Sequence, residues 1–163
     1  MRTQAAQTAE NRQPLYRAGF VLGFGLGGFF DGIILHQILQ WHHFVSSIYP
    51  VDTVNGLEIN TLWDGLFHMT MYIVTAVGLI LLWRAVVRRD VPHAPRAVIG
   101  ALLIGFGVFH LVDSILNHWL LEVHHICYEP NTAVCDGGYF LIGLVLIGLG
   151  IWLVNQGRRT RIQ

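Results

Sequence analysis

GFGLGGFFDGIILHQILQWHH, residues 23–43, recurs in altered form as GFGVFHLVDSILNHWLLEVHH, residues 105–125. Each copy contains Gly-Phe-Gly, then an aspartate, a histidine and a His-His pair, at identical spacing. The aspartates are Asp31 and Asp113, and every matched position is offset by 82 residues. Polar residues repeated in one register within apolar sequence indicate an internal repeat.

Each copy belongs to a pair of apolar segments. Four such segments, near residues 18–41, 62–83, 97–120 and 137–155, are long enough to cross a bilayer, which takes roughly 20 helical residues. They predict an all-α integral membrane four-helix bundle made of two tandem repeats, 18–83 and 97–155. Because each repeat crosses the membrane twice, we expect a pseudo-two-fold axis along the membrane normal.

The composition supports a membrane location. Of the 163 residues, 53% are hydrophobic and only 12% are charged, whereas soluble domains carry about 25% charged residues. The formal net charge is zero and there is no basic face, which argues against nucleic acid as a partner. The lipid bilayer is the expected partner.

The positive charges indicate the orientation. All ten cations are arginines, and they precede the first segment, separate the second from the third, or follow the fourth. By the positive-inside rule, both termini are cytoplasmic. We therefore expect a multi-pass protein of the bacterial inner membrane. Residues 1–17 would form a disordered cytoplasmic segment, 18–157 the membrane domain and 158–163 a cytoplasmic tail.

The only two cysteines, Cys127 and Cys135, fall on the predicted outer side, between the third and fourth segments. Cysteines on an oxidising face tend to pair, so a disulfide is expected. The alternative is that one or both bind metal as thiolates, which an oxidising compartment disfavours.

Eight of the nine histidines are predicted to lie in the outer half of the bundle or at its rim; His93 is the exception, in a cytoplasmic loop. The eight are His36, His42, His43, His68, His110, His118, His124 and His125. Carboxylates inside a membrane span are costly and normally face a partner in the bundle interior. Asp31 and Asp113 are therefore expected near these histidines.

Helical geometry divides the polar residues into two faces. At 100° per residue, His36 and His43 share one face while Asp31 and His42 share another, about 140° away. The second repeat has the same division. A straight helix cannot direct both faces at one point, so either two sites exist or one set is structural.

We predict a multi-histidine metal site with the eight histidines as candidate ligands. For His42 and His124, a structural role is weighed equally with ligation. Asp31 and Asp113 would orient ligands or bridge metal ions, and Glu122 would be a ligand or a proton acceptor. Asp64, in a Thr-x-x-Asp pattern, and Asp136 are predicted to cap the second and fourth helices.

Imidazole with carboxylate suits zinc, copper, iron or nickel. The thioethers of Met69 and Met71, beside His68, would favour copper, whereas Glu122-x-x-His125 has the spacing of di-iron carboxylate bundles. This ranks copper first, iron second and zinc third. Haem would leave most of the histidines unexplained.

These residues also resemble a bacterial family of small four-span, histidine-rich membrane proteins. The resemblance covers the whole four-span region and rests on the Asp…His…His-His repeat. The resemblance implies the four-span fold and the histidine pattern, but it does not indicate which activity the protein has.

The leading hypothesis for function is a metal-dependent oxidoreductase with a copper or iron site, dinuclear in one variant, that performs redox or oxygen chemistry. Metal handling is the alternative, as a copper or zinc chaperone, a storage protein or a transporter. A third hypothesis is a histidine-rich subunit of a respiratory complex, or a homo-oligomer.

The orientation is testable with a reporter that is active only in the cytoplasm. Because arginine is confined to alternate connections, a fusion after Gln163 should be active. The same reporter fused after Pro50, in a predicted outer connection, should be inactive. Activity at Pro50 and none at Gln163 would reverse the orientation.

Overall fold

The protein is all-helical, as a computed structural model that describes residues 11–128 and 130–159 shows. Helix α1 spans Gln13–Phe29 and continues as a π-helix over Phe30–Ile38; α2 spans Val54–Val86; α3 spans Pro95–Asp113 and continues as a π-helix over Ser114–Leu120; α4 spans Thr132–Arg159. Within those described ranges there is no strand. All four helices are long and apolar enough to cross a membrane. The predicted fold class, a membrane bundle of four helices, is confirmed.

Helices α1 and α3 form the centre of the bundle. They pack against each other, while α2 packs on α1 and α4 packs on α3. In their most apolar windows, 56% of the first span and 44% of the third are buried, against 11% of the second and 17% of the fourth. The inner helices are thus the two that carry the repeated motif.

Two glycines of that motif bring α1 and α3 into close contact. A Cβ atom at Gly23 would overlap the backbone of Leu102, and one at Gly105 would overlap the backbone of Phe20. Small residues permit such close approach of membrane helices. The Gly-Phe-Gly repeat therefore has a packing role in both halves.

The helices extend beyond the apolar segments at most ends. The second helix begins at Val54, where the hydroxyl of Thr53 accepts a hydrogen bond from the Gly56 N–H at 3.0 Å. Asp64 therefore lies well inside α2, and Asp136 lies inside α4, which begins at Thr132. The prediction that these aspartates cap helices is wrong, because backbone hydrogen bonding continues past the point where hydropathy falls.

The predicted cytoplasmic segments are only partly described. Helix α1 begins at Gln13, so the predicted disordered segment is helical over its last residues. The remainder of that prediction, residues 1–10, lies outside the described residues. So do residues 160–163 of the predicted tail.

Both central helices finish in the same manner. Each changes from α to π, and each is followed by a non-glycine residue with positive φ: Gln40 at 49° and Glu122 at 50°. Left-handed backbone is uncommon for such residues and reverses the chain direction locally. The His-His pairs at 42–43 and 124–125 are therefore outside the helices, and the predicted extension of the first span to residue 41 is wrong.

These matched features agree with the proposed tandem repeat. The pseudo-two-fold relation between residues 18–83 and 97–155 itself stays a prediction.

Close packing at the centre makes a stability prediction. Gly105→Ala should destabilise the bundle by about 1–3 kcal/mol, because its methyl group would meet the Phe20 backbone. Gly148→Ala, in α4, is the matched control, since a Cβ there meets nothing within 4 Å. Thermal unfolding in detergent would compare them. Equal unfolding temperatures for both variants would contradict the packing role.

Candidate metal centre

Six buried side chains gather where α1 and α3 end, and we call them the Asp/His cluster. They are Asp31, His36, His42, Asp113, His118 and His124. None is more than 3% exposed. The aspartates and the first histidine of each half come from α1 and α3, whereas His42 and His124 come from the segments that follow.

The π-helical turns bring the members of each half together. A π-helix bonds residue i to i+5, and Asp31 and His36 are five residues apart, as are Asp113 and His118. His36 Nε2 lies 3.2 Å from Asp31 Oδ2, and His118 Nε2 lies 3.2 Å from Asp113 Oδ2. The predicted separation of two faces by 140° is thereby overturned, because it assumed a regular α-helix.

The His-His segments complete each half. His42 Nε2 lies 3.6 Å from Asp31 Oδ1, and His124 Nε2 lies 3.8 Å from Asp113 Oδ1. Each aspartate thus faces the Nε2 atoms of two histidines. The two halves of the cluster have the same donor set.

The halves also meet each other. The rings of His42 and His124 stack with centroids 4.8 Å apart at 21°. Donor atoms of His36, His42 and His124 lie within 4.8 Å of one another, as do those of Asp113, His118 and His124. His124 belongs to both groups and therefore joins them.

A second pair of aspartates holds the histidines from the other side. His43 donates from Nδ1 to Asp64 Oδ2 at 2.7 Å, and His36 Nδ1 lies 2.9 Å from Asp64 Oδ1. The Phe44 N–H also donates to Asp64, at 2.9 Å. Asp64 therefore fixes both the ring of His36 and the start of the segment after α1.

Asp136 does the same in the second half. His125 Nδ1 donates to its Oδ2 at 2.7 Å, and the Ile126 N–H donates to its Oδ1 at 2.9 Å. His118 Nδ1 lies 3.2 Å from Oδ1. A carboxylate on Nδ1 that leaves Nε2 facing inward is the arrangement that orients metal-binding histidines.

The interior of the cluster contains polar atoms that lie 3.2–3.8 Å from one another but form no hydrogen bond of good geometry among the described residues. They are Asp31 Oδ1, Asp113 Oδ2 and the Nε2 atoms of His36, His42, His118 and His124. Leaving a buried polar atom unsatisfied costs about 1–3 kcal/mol. Six such atoms directed into one space are the pattern expected of a site that binds something.

The charges are also unbalanced. Asp31, Asp64, Asp113 and Asp136 are each at most 3% exposed. Throughout residues 11–128 and 130–157, arginine makes no ion pair with any of the four. Buried charges need compensation, so the four carboxylates require protons on the histidines or bound cations.

The two histidines of the Asp/His cluster that lie outside the spans, His42 and His124, respond differently to this environment. Burial lowers the pKa of His42 to about 4, so its imidazole is neutral at physiological pH. Burial also acts to lower the pKa of His124, but the hydrogen bond and charge of Asp113 outweigh it and raise that pKa. A neutral imidazole is the form that binds metal.

Some predicted ligands do not join the donor groups. His43 and His125 instead contact Asp64 and Asp136. His68 packs over Gly32 beside Phe67, and Glu122 is exposed at its left-handed turn. Glu122 therefore does not contribute to the cluster, since its backbone conformation ends the helix and leaves the side chain at the surface.

His110 lies beside the cluster. Its Nδ1 is 3.1 Å from the Phe106 carbonyl, and its ring stacks on Tyr139 with centroids 4.2 Å apart. His93 is exposed, as predicted.

The two pairs of aspartates contact different nitrogen atoms of the histidines. Asp31 and Asp113, predicted as orienting or bridging groups, face the Nε2 donors, whereas Asp64 and Asp136 face the Nδ1 atoms. The sequence did contain a signal that Asp64 and Asp136 have matching roles, since both repeats contain an Asp-Gly dipeptide, at 64–65 and 136–137. Tyr139 was missed altogether.

A disulfide joins Cys127 to Cys135. It closes the segment between His125 and Asp136, whose side chains bond to each other. The cysteines are therefore not thiolate donors in this structure, and the donor set of the Asp/His cluster contains only nitrogen and oxygen.

The comparisons with known proteins give one match. The family described as "predicted membrane protein (DUF2243)" matches residues 18–157, which include all four spans. Neither the curated proteins nor the solved structures contain a match to the chain. Since the matched region covers most of its length, the chain belongs to the DUF2243 family of predicted membrane proteins.

Proposed function

We propose that this protein is a membrane metalloprotein that binds two divalent transition-metal ions in the Asp/His cluster. The observation that supports this most strongly is the set of four buried carboxylates without an arginine partner among the described residues. Two divalent ions would balance their charge. The imidazoles could then remain neutral, as metal ligation requires.

The spacing of the donors fits such ions. Nitrogen and oxygen ligands lie about 2.0–2.2 Å from a bound zinc ion, so ligands at that range are roughly 3.0–3.5 Å from one another by the same geometry. The Asp-to-His distances in the cluster, 3.2 and 3.6 Å in one half and 3.2 and 3.8 Å in the other, are close to this range.

The donor set favours iron over copper(I). Each half offers two imidazoles and one carboxylate, the set used by non-haem iron(II) centres. The thioethers that favoured copper(I) are elsewhere: Met69 is 54% exposed, and Met71 packs against Gly28. Copper(II) and zinc also accept these donors, so iron is proposed first and copper second.

A bound ion would be retained by the fold. The cluster residues are almost fully buried, and the carboxylates that face Nδ1 of His36 and His118 come from two different helices, α2 and α4. Enclosure of this kind suits a resident catalytic ion better than an ion that is stored and released. Iron or copper in this site would supply redox or oxygen chemistry, and the residues would fix its ligand geometry.

His124 provides the sharpest test, since it belongs to both donor groups. His124→Ala should remove most of the metal from protein purified without chelator, as measured by elemental analysis. His93→Ala, an exposed histidine in the loop before α3, should retain the wild-type metal content. Each variant must elute as a single species in detergent.

Two results would overturn the proposal. One is wild-type protein that, when offered iron, copper and zinc in turn, retains none above background. The other is His124→Ala protein with an unchanged metal content. The carboxylates would then be balanced by protonated histidines.

The orienting carboxylates make a separate prediction. Asp64→Asn should weaken metal binding by about 10–100-fold, because loss of a partner that orients a ligand typically costs that much. Competition with a chelator would measure the affinity. Asp90→Asn is the matched control, since Asp90 is exposed and pairs with Arg88 at 2.6 Å. An affinity for Asp64→Asn equal to that of the control would contradict the orienting role.

A further inference from the structure

Tyr139 lies between His110 and the Asp/His cluster. It is 5% exposed, its ring stacks on His110 with centroids 4.2 Å apart, and the His118 ring is 5.6 Å away. It belongs to the first turns of α4, three residues after Asp136. Its position is thus fixed by the same helix that orients His118.

The hydroxyl of Tyr139 is buried and unsatisfied. It lies close to the Asp31 carboxylate, but it makes no hydrogen bond of good geometry to any residue in the described part of the chain. The carboxylates that act on it electrostatically are Asp31 and Asp113, one from each half of the cluster. A buried tyrosine hydroxyl normally finds a partner, so this one is expected to bond to something that occupies the space beside those carboxylates.

The first half has no such hydroxyl. Phe67 follows Asp64 by three residues, as Tyr139 follows Asp136. The ring of Phe67 is 5.9 Å from His36, close to the 5.6 Å between Tyr139 and His118. Two similar donor sets therefore differ by one hydrogen-bond donor.

A cavity reaches Tyr139 from the side of the bundle. Its volume is about 550 Å³, and apolar side chains such as Phe30, Leu39 and Ile142 line it together with His110 and Tyr139. Tyr139 thus forms part of the wall of a space large enough for a small molecule. If Tyr139 served only to pack the helices, no cavity beside it would be required.

We propose that the cluster binds a small ligand with an oxygen or nitrogen donor atom, beside the second half's metal site, and that Tyr139 donates a hydrogen bond to it. Water or hydroxide is the resting occupant. The proposal rests on the metal site proposed above. The two metal positions would then be unequal, because exogenous ligands would bind at the position beside Tyr139.

Azide binding to cobalt(II)-loaded protein tests this role, because the visible absorption of cobalt(II) reports its ligands. Tyr139→Phe should take up as much cobalt as wild type and bind azide about tenfold more weakly, the expected loss for a hydrogen bond to a charged group. Tyr72→Phe, which removes a hydroxyl from an exposed tyrosine on α2, should match wild type in both.

The outcomes separate the two proposals. Wild-type protein that takes up no cobalt would overturn the metal site and this inference with it. Normal cobalt uptake with the same azide affinity in wild type and Tyr139→Phe would overturn this inference alone. Loss of cobalt from folded Tyr139→Phe would also overturn it, since the phenol would then be a metal ligand and not a hydrogen-bond donor.

Discussion

Four carboxylates buried in an apolar bundle are the constraint on which the rest of the structure depends. Each is nearly inaccessible, and the chain supplies no arginine to pair with them among its described residues. Burial of an isolated charge costs far more than a single packing contact can return. This need explains the histidines around them. Some of these histidines contact a carboxylate through Nδ1, and others face a carboxylate with Nε2. The metal ions proposed here would satisfy both the carboxylate charges and the Nε2 atoms that lack hydrogen bonds.

The backbone achieves this arrangement by departing from regular α-helix. An α-helix places residues five apart on different sides, whereas a π-helix brings them together. The conversion at Phe30 and at Ser114 therefore aligns each aspartate with the next histidine. The left-handed residues Gln40 and Glu122 then return the chain toward the bundle. Close packing of α1 on α3, through Gly23 and Gly105, brings the two halves near enough to share His124.

Much of this could be predicted from sequence, because membrane spans and repeated polar residues are strong patterns. The four helices followed from these patterns, as did the expectation that Asp31 and Asp113 lie near histidines. The helix ends did not, since hydropathy does not report where backbone hydrogen bonding stops. Asp64 was therefore misread as a cap. The π-helical turns have no recognised sequence signal. The predicted angle between the two histidine faces therefore assumed α-helical geometry, which does not apply to these turns.

The similarity of the two halves makes their differences informative. His110 has Gly28 at the matching position, where Met71 fills the space, and Tyr139 has Phe67. The disulfide likewise belongs only to the second half. None of these differences alters the two-histidine, one-carboxylate donor set. They alter what surrounds it, since the second half has the Tyr139 hydroxyl and the His110 imidazole stacked on that ring, and both residues line a cavity. A pair of ions held for storage would need no such asymmetry, whereas an ion that binds an exogenous ligand does.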